Sequence, residues 1–237
     1  MVLAALAGKP LTGRGIGPAM RARLARLGVA DLRTLLLHLP RTWQDRRSFV
    51  RPQEVASGMT VALQGRVVSH VRQPVRGGRI LLRIRLDCDG FPVELVCFNR
   101  EFLARSWPSG TVLSVWGTFE RDITGLSASS FEALPADDPQ HRIEFGRLVP
   151  VYPLTEGLTQ RIIRRLVDEN LRLVPSAGHD LPEYLVAKRR MRSMHELLAG
   201  AHFPHTEEEG LFAREELAYI ELLLFQAVPR RDTKPLA

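Results

Sequence analysis

The dipeptide Asp89-Gly90 constrains the fold more than any other feature of the chain. It separates two runs of alternating apolar and polar residues, and Asp-Gly suits the two-residue turn whose twist matches a pair of antiparallel strands. In the first run, Ile80, Leu82, Ile84 and Leu86 alternate with Leu81, Arg83, Arg85 and Asp87. In the second, Phe91, Val93, Leu95 and Cys97 share one face, and Pro92, Glu94, Val96 and Phe98 share the other. A two-residue loop sets 88 opposite 91, Leu86 opposite Val93, Ile84 opposite Leu95 and Leu82 opposite Cys97, all on the buried side. Arg85 then meets Glu94 on the outer face, a favourable cross-strand pair. A slip of one residue would turn one strand's apolar set to solvent, so pattern and turn specify one register.

Around this hairpin the same alternation predicts strands over Thr60–Val71, Thr111–Arg121 and a shorter run near Ser127–Leu134, with a short helix at Asn99–Ser106. Five strands with a helix between the third and fourth is the plan of an OB-fold barrel. An ordinary five-stranded antiparallel sheet or another small barrel is the alternative. The two cysteines, Cys88 and Cys97, lie six positions apart along the hairpin. That is roughly 20 Å, against the roughly 7 Å between Cα atoms that a disulfide tolerates. They read as packing residues in a reducing compartment. Of the tryptophans, Trp43 and Trp107 are uninformative and Trp116 is expected to pack inside the barrel.

The flanks read as helical, giving an α+β chain. Residues 1–55 form an Arg-rich helical segment, 56–135 the barrel, 136–158 a linker entered through the polar run Pro135-Ala136-Asp137-Asp138-Pro139, and 159–237 a set of helices. In the first segment, Gly13-Arg14-Gly15-Ile16-Gly17-Pro18 is a glycine-rich turn with proline at a helix start. Met20, Leu24 and Leu27 then recur at helical spacing up to Gly28, and a second helix spans Leu32 to Leu39. Helix, glycine turn, helix resembles a helix-hairpin-helix, whose backbone N–H groups at Gly15 and Gly17 can hold a phosphate. An ordinary helix-start turn is the alternative. In the last segment, helices are expected over Thr159–Leu173 and about 182–191, and capping boxes at Ser193/Glu196 and Thr206/Glu209 open two more. The final helix, running to about Val228 just ahead of Arg230-Arg231, is apolar in its second half at Leu222, Leu223, Leu224 and Phe225. So apolar a helix end wants a partner, and the chain reads as the front part of something longer.

Charge narrows the function. The chain carries 33 Lys and Arg against 26 Asp and Glu, a net charge of +7. Residues 1–51 hold ten of the basic groups and only two acids, whereas 201–237 hold four basic groups and seven acids. Lysine occurs only at 9, 188 and 234, so the basicity is guanidinium, which suits forked contacts to phosphate. No apolar stretch approaches the roughly 20 residues of a membrane span, and Met1 to Pro10 lacks the basic start of a secretory signal, so a cytoplasmic protein is expected. Catalysis finds no support. There is no phosphate-binding loop, since Gly8-Lys9-Pro10 lacks both the earlier glycine and the following hydroxyl. His202 and His205 have no partner at a zinc spacing and read as structural or solvent-facing.

Two aromatics stand out. Phe98 has the parity of the polar face of its strand, and Phe102 follows four residues later, one helical turn away. Exposed rings beside Arg83, Arg85 and Arg100 match base stacking, where each base contributes about 1–3 kcal/mol whatever its identity. Burial of Phe102 with Leu103 as a plug of the barrel end is the competing reading.

Several stretches, in order along nearly the whole chain, resemble the N-terminal region of the RecG family of ATP-dependent helicases. They are Gly15-Ile16-Gly17-Pro18, Leu35-Leu36-Leu37-His38-Leu39-Pro40 leading into Trp43-Gln44-Asp45-Arg46, Phe98-Asn99 with an aromatic at 102, Pro150 to Leu158, and His202-Phe203-Pro204. The resemblance implies a wedge that sits at the branch point of stalled forks and Holliday junctions and splits the arms as a motor pulls duplex. It implies that Phe98 and Phe102 stack on bases at the junction. Arg83, Arg85, Arg100, Arg14, Arg21, Arg46, Arg47, Gly15 and Gly17 are the expected backbone and branch contacts. Phe102 and Trp43 stand where the family commonly has tyrosine, and Arg21 where a small residue is common. Helicase motor domains in cis are the implied partner, and ATP and magnesium would belong to them, with no cofactor in this chain. A stand-alone OB-fold protein for single-stranded DNA or RNA, or a protein adaptor using the apolar last helix, are the rivals.

Overall fold

In the computed structural model, which describes residues 1–75 and 77–227, Asp89 and Gly90 take φ values of +54° and +82°. Both are left-handed, as a tight turn of the kind expected at this hairpin requires. The flanking strands, Arg79–Cys88 and Phe91–Phe98, pair antiparallel with Leu82 opposite Cys97, Ile84 opposite Leu95, Leu86 opposite Val93 and Cys88 opposite Phe91. That is the register the sequence dictates. Arg85 lies opposite Glu94 on the outer face.

Along the chain the elements are α1 (Val2–Leu6), α2 (Pro18–Arg26), α3 (Leu32–Leu36) and the short strand β1 (Thr42–Asp45). Then come β2 (Met59–Val75), β3 (Arg79–Cys88), β4 (Phe91–Phe98), α4 (Phe102–Ser106), β5 (Val112–Asp122) and β6 (Gly125–Pro135). The last part holds α5 (His141–Glu144), β7 (Leu148–Val151), α6 (Gln160–Leu171), α7 (Glu183–Arg189), α8 (Met194–His202) and α9 (Glu207–Ala227). Val228 and Arg230-Arg231 lie outside the described residues. Two compact units result, Asp45–Arg147 and a helical unit made of Met1–Gln44 with Leu148–Ala237.

In the first unit the strands close in the order β2-β3-β4-β6-β5, with β5 returning to β2. All neighbours are antiparallel except β4 and β6, which run parallel over three residue pairs, Val93–Leu95 against Leu126–Ala128. α4 sits between the third and fourth barrel strands in sequence, as expected. Inward residues of alternating parity fill the interior, among them Leu63, Leu82, Ile84, Leu86, Leu95, Leu113, Val115 and Phe119. Cys88 and Cys97 belong to this interior and are free thiols. Burial pushes the Cys88 thiol up to about 12 and Cys97 upward too. A shift of register between Val67 and Ser69 marks a bulge in β2, the device that lets one long strand bend around a small barrel. Trp116 corrects an expectation. It has the parity opposite to Val115 and packs outside the barrel with Ala62, Leu134 and Phe145.

The helical unit shows its capping chemistry. Gly17 caps α2 with Pro18 in the first turn. α3 opens on a box in which the Asp31 carboxylate accepts from the Thr34 N–H, and α8 on the expected Ser193/Glu196 box. α6 begins at the cap residue Thr159. At the head of α9, Thr206 Oγ1 accepts from the Glu209 N–H, but the Glu209 carboxylate accepts from His205 rather than from Thr206. α3 ends at Leu36, earlier than the periodicity predicts, because the chain turns so that His38 Nε2 meets the Pro153 carbonyl at 3.0 Å. α1, β1, α5 and β7 have no counterpart in the expectation. Each is four or five residues long, too short for a periodic signal.

Stretches quoted for the resemblance meet inside this unit. His202 is fully buried, its Nε2 donating to the Leu36 carbonyl at 2.8 Å and its Nδ1 accepting from the Tyr152 hydroxyl at 2.9 Å. The Gln160 side chain ties both backbone groups of Tyr152. Arg23 and Arg26 donate to the carbonyls of Gly157 and Glu156.

Candidate nucleic-acid interface

Strand parity builds the outer face of β2, β3 and β4 in rows. Ser69, Arg85 and Glu94 form one, Val71, Arg83 and Val96 the next, and Gln73, Leu81 and Phe98 the last. Phe98 ends its strand 49% exposed, while Leu81 opposite is buried. Immediately after it Asn99 takes φ +54°, a conformation asparagine tolerates better than most side chains. Its N–H donates to the Ile80 carbonyl at 2.9 Å, and its side-chain oxygen accepts from the Ile80 N–H at 3.1 Å. This clasp turns the chain off the sheet and starts α4, whose first residue is Phe102. Phe102 is 59% exposed, whereas Leu103 and Trp107 enter the barrel core. The plug of the barrel end is therefore Leu103 without Phe102.

One cation lies over the Phe98 ring and another beside the head of α4. The Arg79 guanidinium lies over the Phe98 ring, 5.5 Å from its centre, and Arg72 stands 3.9 Å from Glu101. Arg83 and Arg85 both reach Glu94, at 2.5 and 3.4 Å. One carboxylate shared by two guanidiniums leaves a net positive charge and holds both side chains flat on the sheet. Arg100 is exposed. Arg72 and Arg79 were missed from sequence. Only Arg79 carried a positional signal, two residues before Leu81, the partner of Phe98, on the same face of the strand; Arg72 comes near through its pairing with Leu82.

The other expected contacts fall into three groups. Arg46 is overturned. It is 1% exposed, with Nη2 on Glu132 at 2.9 Å, Nη1 3.7 Å from Glu144, and its guanidinium 5.0 Å from the Trp116 ring centre. It pins the outer surface of the barrel and cannot reach a phosphate. Arg47 is exposed and held in a fork by Asp45 through Nε at 2.9 Å and Nη2 at 2.6 Å, which keeps the Asp45 carboxyl below the usual range. In the helical unit, Gly15 takes φ +81° and Gly17 opens α2, whose first turn carries no acid. Arg14 and Arg21 are exposed beside them, and the Arg165 guanidinium of α6 stands 4.0 Å from where a Cβ on Gly15 would lie. Among the described residues no cluster of potential ligands could hold a metal, and no helix is long and apolar enough to cross a membrane.

A closed five-stranded barrel with this strand order, and a helix between its third and fourth strands, is an OB-fold. In that class the face of the second and third strands and the adjoining loops form the usual oligonucleotide surface. Residues 12–174 match the RecG wedge domain family, and the chain belongs to it. Similar proteins include the ATP-dependent DNA helicase RecG of Thermotoga maritima, 32% identical over 90% of this chain and 27% of its own length. The RecG of Borreliella burgdorferi is 30% identical over 94% of this chain and 33% of its own. The solved structure of RecG bound to a three-way DNA junction superposes with a TM-score of 0.74 at 29% identity, covering 90% of this chain and 29% of that one. The chain thus spans about a third or less of the relatives it matches.

Proposed function

We propose that this chain is a DNA-binding wedge that recognises branched DNA, stalled forks and Holliday junctions among it, and separates strands at the branch point. Phe98 and Phe102 cap the bases exposed where the arms part. Arg79, Arg83, Arg85 and Arg100 hold the flanking phosphates, and the turn at Gly15 and Gly17 with Arg14 and Arg21, together with Arg47, contacts duplex backbone. The observation that carries this reading is the pair of exposed rings on a positively charged OB-fold face, in a chain similar throughout to a RecG bound to a three-way junction. Unwinding itself would need ATP and magnesium at helicase motor domains in cis, and the work would be fork rescue, recombination and repair in the cytoplasm. Contacts of this kind read shape rather than sequence and weaken steeply with salt.

Titrating a three-way junction, a single strand and a linear duplex at equal salt tests the proposal. The wedge reading expects the junction to bind tightest. Preference for the single strand would identify an ordinary single-strand-binding OB protein. Negligible binding to all three would point to a protein adaptor, with the exposed Leu222 and Phe225 of α9 as its contact surface.

A further inference from the structure

None of the seven residues of α7 is buried; Leu185 and Val186 are half-buried and the rest exposed. Two guanidiniums tie this helix and the residues after it to α9. Arg189 lies over the Tyr219 ring, 3.9 Å from its centre, and stands 3.7 Å from Glu216. Arg192 lies 5.3 Å from the Phe212 ring centre and 3.4 Å from Glu209. Glu209 with Phe212 and Glu216 with Tyr219 are thus one carboxylate-and-ring clamp, repeated seven residues on along one face of α9. Both halves of the clamp suit a guanidinium, which pairs with carboxylates and stacks on aromatic faces.

Beside these anchors Lys188 and Arg190 are exposed, and neither pairs with an acid among the described residues. Glu209 and Glu216 are taken up by the anchors, so the charge of Lys188 and Arg190 is left uncompensated. Residues 188–192 are the densest basic run in the chain, with Met191 as the one uncharged member. A helix C-terminus favours cations through its dipole, which accounts for Lys188 and Arg189. It does not account for Arg190. That residue closes α7 at φ +52° and ψ +43°, the left-handed cap that glycine normally fills because a side chain is strained there. An arginine kept where glycine would be unstrained points to a use for its guanidinium.

We propose that residues 188–192 form a second phosphate-contact strip, on the helical unit rather than the barrel. Arg189 and Arg192 anchor the strip to α9, and Lys188 and Arg190 meet the backbone of a duplex arm. This rests on the branched-DNA reading, and the test separates the two. Affinities of the 237-residue chain for a three-way junction and a linear duplex are measured over a range of salt. Lys188→Gln with Arg190→Gly is expected to lower the slope of log affinity against log salt by about two units on both substrates, with the preference for the junction intact. Arg190→Gly relieves the strained cap, so its urea midpoint stays at or above the parent value and a lost contact is not a lost fold. Arg190→Asn, which also tolerates the left-handed conformation, loses the same share of the slope, and Arg190→Lys retains it. A parent slope for the double variant would overturn the proposal, as would a loss confined to the junction, since a duplex-backbone contact is common to both substrates. Loss of binding to phosphatidylglycerol vesicles at an unchanged slope on DNA would overturn it too, by assigning the strip to a membrane surface. Phe98→Ala with Phe102→Ala removes the junction preference at an unchanged slope if the branch reading holds. If that variant keeps the preference, the branch reading fails whatever the strip does.

Discussion

Arg46 and Arg83 illustrate how burial decides what a guanidinium does. Arg83 shares Glu94 with Arg85 at the surface, where such pairs contribute about 0–1 kcal/mol and leave charge available. Arg46 is enclosed by Glu132, Glu144, Trp116 and Phe145. Removing it takes a buried cation away from Glu144, itself almost fully buried. Arg46→Ala should therefore destabilise the barrel by about 3–5 kcal/mol in urea unfolding, while Arg46→Met with Glu144→Gln recovers much of the loss. A surface-like cost below about 1 kcal/mol would contradict the burial assigned to it. The sequence could not separate these two arginines, because the partners of Arg46 lie 86 and 98 positions away along the chain. His202 gives a second residue-scale prediction. Burial lowers its pKa from 6.5 to about 4, so the unfolded chain binds a proton there that the folded chain does not. Stability is full above about pH 6.5 and falls as pH drops toward 4. His38, His141 and His179 are shifted the same way by burial. Comparing the urea midpoints of the parent and His202→Gln at pH 7 and pH 5 isolates the His202 share, and the variant should lose less on acidification.

At the scale of elements, legibility follows sequence distance. The hairpin of β3 and β4 was readable to its register because its turn and its alternation are local. Phe98 followed from the same parity. The clasp at Asn99 was within reach, since asparagine after a strand end is a known left-handed residue, but nothing in the pattern required its bond to Ile80. Trp116 shows the limit of composition, since only the strand's parity, read against Val115, places it outside. β1 and β7 pair across about a hundred residues, and four-residue strands carry too little pattern to announce that. The clasp has a testable consequence. Asn99→Gly keeps the left-handed conformation and should preserve most junction affinity. Asn99→Val strains it by about 1–2 kcal/mol and displaces Phe102, and since both variants lose the side-chain bond to Ile80 the difference between them reports the backbone conformation alone. Equal binding by the two variants would mean that Phe102 does not depend on this turn.

At the scale of the whole molecule, the two chain ends fold into one helical unit, which no local reading of helices at either end conveys. The order of family stretches along the sequence did carry information of this range, and Leu36, Tyr152 and His202 turn out to be a buried hydrogen-bonded chain within that unit. Net charge likewise acts globally, steering a polyanion before any ring touches a base. Arg83→Gln or Arg100→Gln should each lower the dependence of log affinity on log salt by about one unit, whereas Arg46→Met with Glu144→Gln should leave it unchanged. The central claim is that two exposed phenyl rings recognise a DNA branch. It is tested most directly by titrating the double variant Phe98→Ala, Phe102→Ala against a three-way junction and a linear duplex of equal length in the same buffer. The account predicts at least a tenfold loss on the junction, the scale of one or two stacked bases, with duplex affinity retained. Undiminished junction binding, or the same loss on both substrates, would contradict it.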